Sequence, residues 1–162
     1  MSLLPVSHRL QSQSSDCLAT CAAMLLDYLQ VPFKYDHLLR LLRTRAFGTE
    51  FSNLRYLTSL GLFVLIEQGT VETLRRHLAH GLPPIVFVQT GQLSYWKERA
   101  GHAVIVLAIE DKQISLGDPK FPDVPKVISL IEFEAAWIEQ DQIYAVIGLD
   151  DIEAGGDDNI YG

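Results

Sequence analysis

A chain of 162 residues, 48% hydrophobic and 20% charged, has the size and composition of one soluble globular domain. Its net charge of −7 holds no basic stripe, which argues against nucleic acid or an anionic membrane as a partner. The start, MSLLPVSHRL, is not a secretory signal, and apolar runs such as AVIVLAI (103–109) are too short to span a bilayer, so the expected compartment is the reducing cytoplasm.

The first half reads as mostly helical. Asp16 is placed to cap a helix over CLATCAAMLLDYL, with apolar residues at 18, 22, 25, 26 and 29, and Val31-Pro32 ends it. Asp36 is placed to cap HLLRLLRTRA, with leucines 38, 39, 41 and 42 inward. Ser52 opens NLRYLTSL, which Gly61 stops. A short strand, LFVLI (62–66), follows, and Thr70 starts VETLRRHLAH, ended by Gly81.

After Pro84 the pattern becomes extended: IVFVQ, AVIVLAI, QISLG, KVIS and IYAVIGL are short, β-branched runs divided by turn residues. Ser129 and Glu132 form a capping-box pattern for a helix over IEFEAAWI. The expected fold is α+β, a helical N-terminal half packed against an antiparallel sheet in the C-terminal half, with a cleft between them. One domain spans 1–149. Residues 150–162, DDIEAGGDDNIYG, carry five acids and no Lys or Arg and read as an acidic, mobile tail.

Cys17 and Cys21 are the only cysteines. A disulfide across one helical turn is geometrically poor, and the histidines at 8, 37, 77, 80 and 102 give no metal-ligand spacing with them, so no metal is expected. Two packed, inert thiols are the plain reading of such a pair taken alone. Cys17, however, falls in the first turn of its helix, where unpaired N–H groups favour a thiolate. Cys21, a turn deeper among Leu, Ala, Thr and Met, reads as a buried apolar residue.

His102 opens the run AVIVLAI, and Gly117-Asp118-Pro119 ends the next strand sixteen residues later. EDKQ (110–113) makes the two strands a hairpin, whose far ends lie close. A cysteine at a helix N-terminus, an imidazole and a carboxylate are the parts of thiol catalysis. Gln11 and Gln13 both precede Cys17, and either amide is a candidate to donate to an oxyanion. Strand parity sets a condition. A two-residue loop at Asp111-Lys112 pairs Ile105 with Asp118 and puts Asp118 on the face opposite His102. An odd connection, or a bulge between residues 109 and 114, sets Val104 opposite Asp118 with His102 as its diagonal neighbour.

QSQSSDCLATCAAMLLDYL and GHAVIVLAIEDKQISLGDP together resemble the two signatures of the peptidase domains of bacteriocin and peptide exporters, which cut leaders after a double glycine. The resemblance extends to about residue 148. It implies a papain-like fold and a cysteine peptidase with Cys17 as nucleophile, His102 as base, Asp118 as its orienter and Gln11 as oxyanion donor. It implies a peptide or protein substrate and no cofactor. Leu18 stands beside the reaction centre where such domains usually carry Gly, so the resemblance does not fix the shape of the substrate groove there. Those domains are commonly fused to a membrane exporter, whereas this sequence ends after one domain, so it reads either as a stand-alone peptidase or as the same fold serving another purpose. Its own Gly155-Gly156 has Glu153 where leaders carry a hydrophobic residue, which argues against self-cleavage. An acyl or aminoacyl transferase on the same scaffold, or a peptide-binding domain without turnover, are the alternatives.

Overall fold

The computed structural model describes residues 2–149; Met1 and the acidic segment 150–162 lie outside the described residues. Helix α1 (Cys17–Tyr28) is the centre of the molecule, with every residue from Leu18 to Leu26 buried. A one-sided apolar stripe was the expectation. The helix is instead wrapped, because the sheet covers one side and leucines 38, 42, 54 and 57 of the following segments pack in the same core. Asp16 precedes it, but its side chain does not cap. It is buried, and its Oδ2 accepts a hydrogen bond from the Tyr35 hydroxyl at 3.2 Å.

Helix α2 (Tyr35–Leu41) is shorter than the run HLLRLLRTRA suggested, and Lys34 rather than Asp36 holds its N-cap position. It ends because Arg43 takes a left-handed φ of 57° and the amides of Arg43 and Thr44 fold back to the carbonyls of Arg40 and Leu39. The segment expected to be a helix from Ser52 is a 3-10 stretch, Phe51–Leu60, closed by Gly61 at φ 81°. Helix α3 (Val71–Ala79) begins at Thr70, whose side chain makes a reciprocal capping box with Thr73. Helix α4 (Leu130–Ile138) has the Ser129 cap, but the Glu132 carboxylate turns away and accepts from the Ser94 amide and hydroxyl.

The strands are β1 (Leu62–Gln68), β2 (Ile85–Gln89), β3 (Gly101–Glu110), β4 (Gln113–Gly117), β5 (Lys126–Ser129) and β6 (Ile143–Leu149). They form one antiparallel sheet in the order β1-β6-β2-β3-β4-β5. Alternation along β3 divides the core. Ala103, Ile105 and Leu107 join the α1 side, while Val104 and Val106 join Leu74, Phe133 and Trp137 of α3 and α4 on the other.

The β3–β4 hairpin corrects the parity expectation in one respect. Its connection is the two-residue loop, with Glu110 opposite Gln113 and Asp111 at φ 53°. The compensating bulge lies further from the turn, at Leu107, which has no partner between the pairs Val106–Leu116 and Ala108–Ser115. Beyond it Ile105 faces Gly117. One further step along that register brings Asp118 opposite Val104, on the side of His102.

Candidate active site

Cys17 is the first residue of α1, reached through the 3-10 turn Ser14–Asp16, and is half-buried. Cys21 is fully buried. Burial, with the charges of Cys17 and Asp118, pushes the Cys21 thiol well above its ordinary value. Cys21 is therefore a packed thiol, and Cys17 is the more accessible cysteine of the two.

His102 is the second residue of β3, paired with Val88 and only 3% exposed. The glycine before it leaves room for its neighbour: a Cβ on Gly101 would stand 3.0 Å from the Phe87 ring, a tight contact. His102 Nε2 lies 2.6 Å from Asp118 Oδ1. The Cys17 thiol is near enough to the same imidazole to raise its basicity. Burial alone would depress the imidazole. The hydrogen bonds to Asp118 and Cys17 and the charges of both outweigh it and push the pKa up to about 9.

Asp118, fully buried, lies one residue past β4. Four donors surround its carboxylate. His102 and the Lys120 amide, at 3.0 Å, meet Oδ1, while the Tyr95 hydroxyl at 2.8 Å and the Trp96 indole N–H at 2.9 Å meet Oδ2. Burial raises the carboxyl; the hydrogen bond and charge of His102, with Trp96 and the Lys120 amide, prevail and hold it below the usual carboxylate value. An ionised carboxylate satisfies such a ring of donors because it is acceptor-only. Trp96 also sets its ring edge against His102, with centroids 4.7 Å apart, and Phe121 packs edge-on against both Tyr95 and Trp96.

Tyr95 and Trp96 were not singled out from the sequence. The available signal was the stretch SYWKERAGH, in which two aromatics with polar tips precede the histidine by six and seven residues. Such side chains, when buried, need an acceptor.

Gln11 is tied to the same region through its backbone, whose N–H donates to the Pro119 carbonyl at 2.9 Å. Its side-chain amide donates to the Gln13 carbonyl at 3.1 Å, and its Oε1 is buried without a partner. Gln13 itself is exposed. Leu18, whose effect on the groove the sequence left open, does not line it: the side chain is 1% exposed and belongs to the core on the α1 side. The groove at Cys17, about 220 Å³, is bordered instead by Ser14, Phe47, Glu50, Phe87 and Gly101. Among the described residues no three His, Cys, Asp or Glu side chains stand together to hold a metal ion, and no helix is long and apolar enough to cross a membrane.

No curated protein matches the sequence. Solved structures do match the fold. A double glycine motif protease from an AMS/PCAT transporter, crystallised with the leader peptide, superposes with a TM-score of 0.71 at 17% identity, over 90% of this chain and 93% of that one. The peptidase domain of Streptococcus ComA, a bi-functional ABC transporter involved in quorum sensing, gives 0.72 at 19% identity, over 88% and 98%. A C39-like peptidase from Bacillus anthracis gives 0.73 at 14% identity, over 89% and 96%. The architecture is thus the papain-like α+β fold of these domains. The Peptidase C39 family profile matches residues 6–141, nearly all of the described chain, and by that match this protein belongs to the Peptidase C39 family of cysteine peptidases.

Proposed function

We propose that this peptidase cuts a leader-type peptide after a Gly-Gly pair, with Cys17 as nucleophile, His102 as acid and base, Asp118 as the group that orients His102, and Gln11 as an oxyanion donor. The observation that carries the reading is His102, placed between the buried Asp118 carboxylate and the only half-exposed thiol. An imidazole raised to about 9 carries its proton at neutral pH and can give it to the departing amine.

The thiolate attacks the scissile carbonyl carbon, and the carbonyl electron pair moves onto oxygen. The Cys17 backbone N–H at the open end of α1 and one side-chain amide hydrogen of Gln11 stabilise that oxyanion. Collapse breaks the C–N bond, and the imidazolium gives its proton to the departing amine. Water, deprotonated by the neutral imidazole, then attacks the thioester and releases the acid and the thiolate. Phe47 and Phe87 border the groove in which the residues next to the scissile bond would lie. The solved relative bound to its leader peptide supports the substrate class. A thiolate nucleophile and two free cysteines suit a reducing cytoplasm.

The test is cleavage of a Gly-Gly peptide followed by mass spectrometry. Parent protein is expected to give one cut after the second glycine, and Cys17→Ala protein none. Cleavage that survives in Cys17→Ala would remove the assignment.

A further inference from the structure

Residues 90–100, between β2 and β3, carry the two side chains that donate to Asp118 Oδ2, the Tyr95 hydroxyl and the Trp96 indole. The ends of this stretch are tied together by Thr90, which is fully buried. Its N–H donates to the Ala100 carbonyl at 2.8 Å, and its hydroxyl donates to the Glu98 carbonyl at 2.7 Å and accepts from the Ala100 amide at 2.8 Å. The middle is held from outside. The Ser94 amide and the Ser94 hydroxyl both donate to Glu132 Oε2, at 2.7 and 2.8 Å. Glu132 is the third residue of α4, where a capping box would return its carboxylate to the Ser129 amide. Ser129 Oγ accepts the Glu132 N–H at 3.1 Å, but the carboxylate goes to Ser94 instead. Behind burial and Asp118, the Glu132 charge is one of the influences that hold the Tyr95 hydroxyl above its ordinary value, as expected of a carboxylate close to it. Glu139, just past α4, meets the same stretch, accepting from Gln92 at 2.6 Å and from Arg99 at 2.9 Å. That pairing is open to solvent, with the Arg99 side chain 63% exposed, and such pairs contribute little. Glu132 differs in holding the backbone of the residue next to Tyr95.

A carboxylate oxygen that takes both an amide and a hydroxyl makes charge-assisted bonds, stronger than neutral ones. We propose that Glu132 is a positioning residue of the peptidase: by fixing Ser94 it sets Tyr95 and Trp96 against Asp118, and through Asp118 it sets the orientation of His102. Each link in this line is a hydrogen bond or a stretch of one or two peptide bonds. Glu132 touches neither the thiol nor the imidazole, and α4 packs on the face of the sheet away from α1. The proposal rests on the peptidase reading of Cys17, His102 and Asp118, and names a residue that supports it from outside the groove.

Two readouts on the full chain separate positioning from loss of structure. The chain has two tryptophans, so a nitrogen–proton correlation spectrum carries two indole N–H signals. Trp96 donates to Asp118, whereas Trp137, on α4 itself, donates to the Ile143 carbonyl at 2.8 Å. Trp96→Phe protein assigns the two signals. In Glu132→Ala the Trp96 signal should move upfield and exchange faster with water, while the Trp137 signal keeps its place. On a Gly-Gly peptide, kcat of Glu132→Ala should fall about fivefold with KM unchanged. Glu132→Gln, whose amide oxygen still accepts from both Ser94 donors, should recover about half or more of the parent kcat. Ser94→Ala leaves α4 untouched and should give the same changes at smaller size, and Glu139→Ala should give none. An unmoved Trp96 signal in Glu132→Ala, a shift of both indoles together, or an equal fall in kcat for Glu139→Ala would overturn the proposal. If the parent cuts no peptide, the peptidase reading fails separately. The Trp96 signal then decides alone: its shift in Glu132→Ala and its return in Glu132→Gln support the hold on Asp118, and its constancy overturns it.

Discussion

Replacing Asp118 with asparagine keeps the shape of the side chain and removes its charge. Four donors face this carboxylate: His102, the Lys120 amide, Tyr95 and Trp96. An amide accepts at one end only, so its NH2 must meet either the His102 side or the Tyr95 and Trp96 side. The tyrosine hydroxyl can rotate, but the indole N–H cannot, and a mismatched buried donor costs about 1–3 kcal/mol. The larger effect falls on His102. Its rise from 6.5 to about 9 corresponds to roughly 3 kcal/mol in favour of the imidazolium, and Asp118 is the first of the groups that raise it. The alkaline limb of kcat/KM for the parent should therefore lie near pH 9, where the proton for the leaving amine is lost. In Asp118→Asn it should move down toward 6.5 or below, because burial still depresses the ring and the carboxylate no longer opposes it. Stability carries the same signature. The part due to protonated His102 is fully present below pH 6.5 and lost as pH rises through about 9. The part due to Asp118, whose folded pKa is depressed, is present above its ordinary 3.8 and lost as pH falls through the lower folded value. Urea titrations on either side of pH 9, with pH-rate profiles of both proteins, measure this directly. An alkaline limb that stays near 9 in Asp118→Asn would show that the carboxylate does not control the imidazole.

Brief iodoacetamide treatment at neutral pH should label Cys17 and spare Cys21, whose thiol is buried and raised; peptide mapping that finds Cys21 labelled first would reverse the roles. Trp96→Phe keeps a ring against His102 but removes the N–H bonded to Asp118, and should lower kcat about tenfold with little change in KM, together with a downward shift of the alkaline limb that a merely structural loss would not give. Leu18→Ala should cost about 2–5 kcal/mol in urea unfolding while leaving the choice of cleavage site unchanged, since the side chain fills the core; altered cleavage specificity would put it back at the groove.

Much of the fold was legible because periodicity and turn chemistry agree in this chain. The strands after Pro84 and the Thr70 and Gly61 boundaries follow from local rules that tertiary structure does not override. The helical half was less well marked. Asp16 has the chemistry of a cap, yet it is drawn under Tyr35 by a contact nineteen residues away that no local pattern carries. At the site, the spacing of Cys17, His102 and Asp118 could be read because each sits at the end of an element. The clamp on Asp118 could not. Tyr95 and Trp96 lie in the irregular stretch between β2 and β3, where no period predicts which way a side chain turns.

The bulge shows why a correct geometric demand was met at an unexpected position. Parity required one extra residue between His102 and Asp118, and the turn was the obvious place for it. The turn is satisfied without it, since Asp111 adopts the left-handed conformation that a two-residue connection uses. The extra residue, Leu107, sits where two things pay for it. Its side chain fills the α1 core, and its carbonyl accepts the Leu4 N–H at 3.1 Å. The N-terminal segment is thus tied to the bulge that sets the face of Asp118. Leu4→Pro removes that N–H, whereas Leu4→Ala keeps it and removes only side-chain packing. The proline variant should be less stable than the alanine variant by about 1 kcal/mol in urea unfolding, the usual net worth of one hydrogen bond. It should also show faster amide exchange at Leu107 and Ala108. Equal stability of the two variants, with unchanged exchange at the bulge, would mean that the Leu107 carbonyl does not need the N-terminal segment and that the bulge is held by core packing alone.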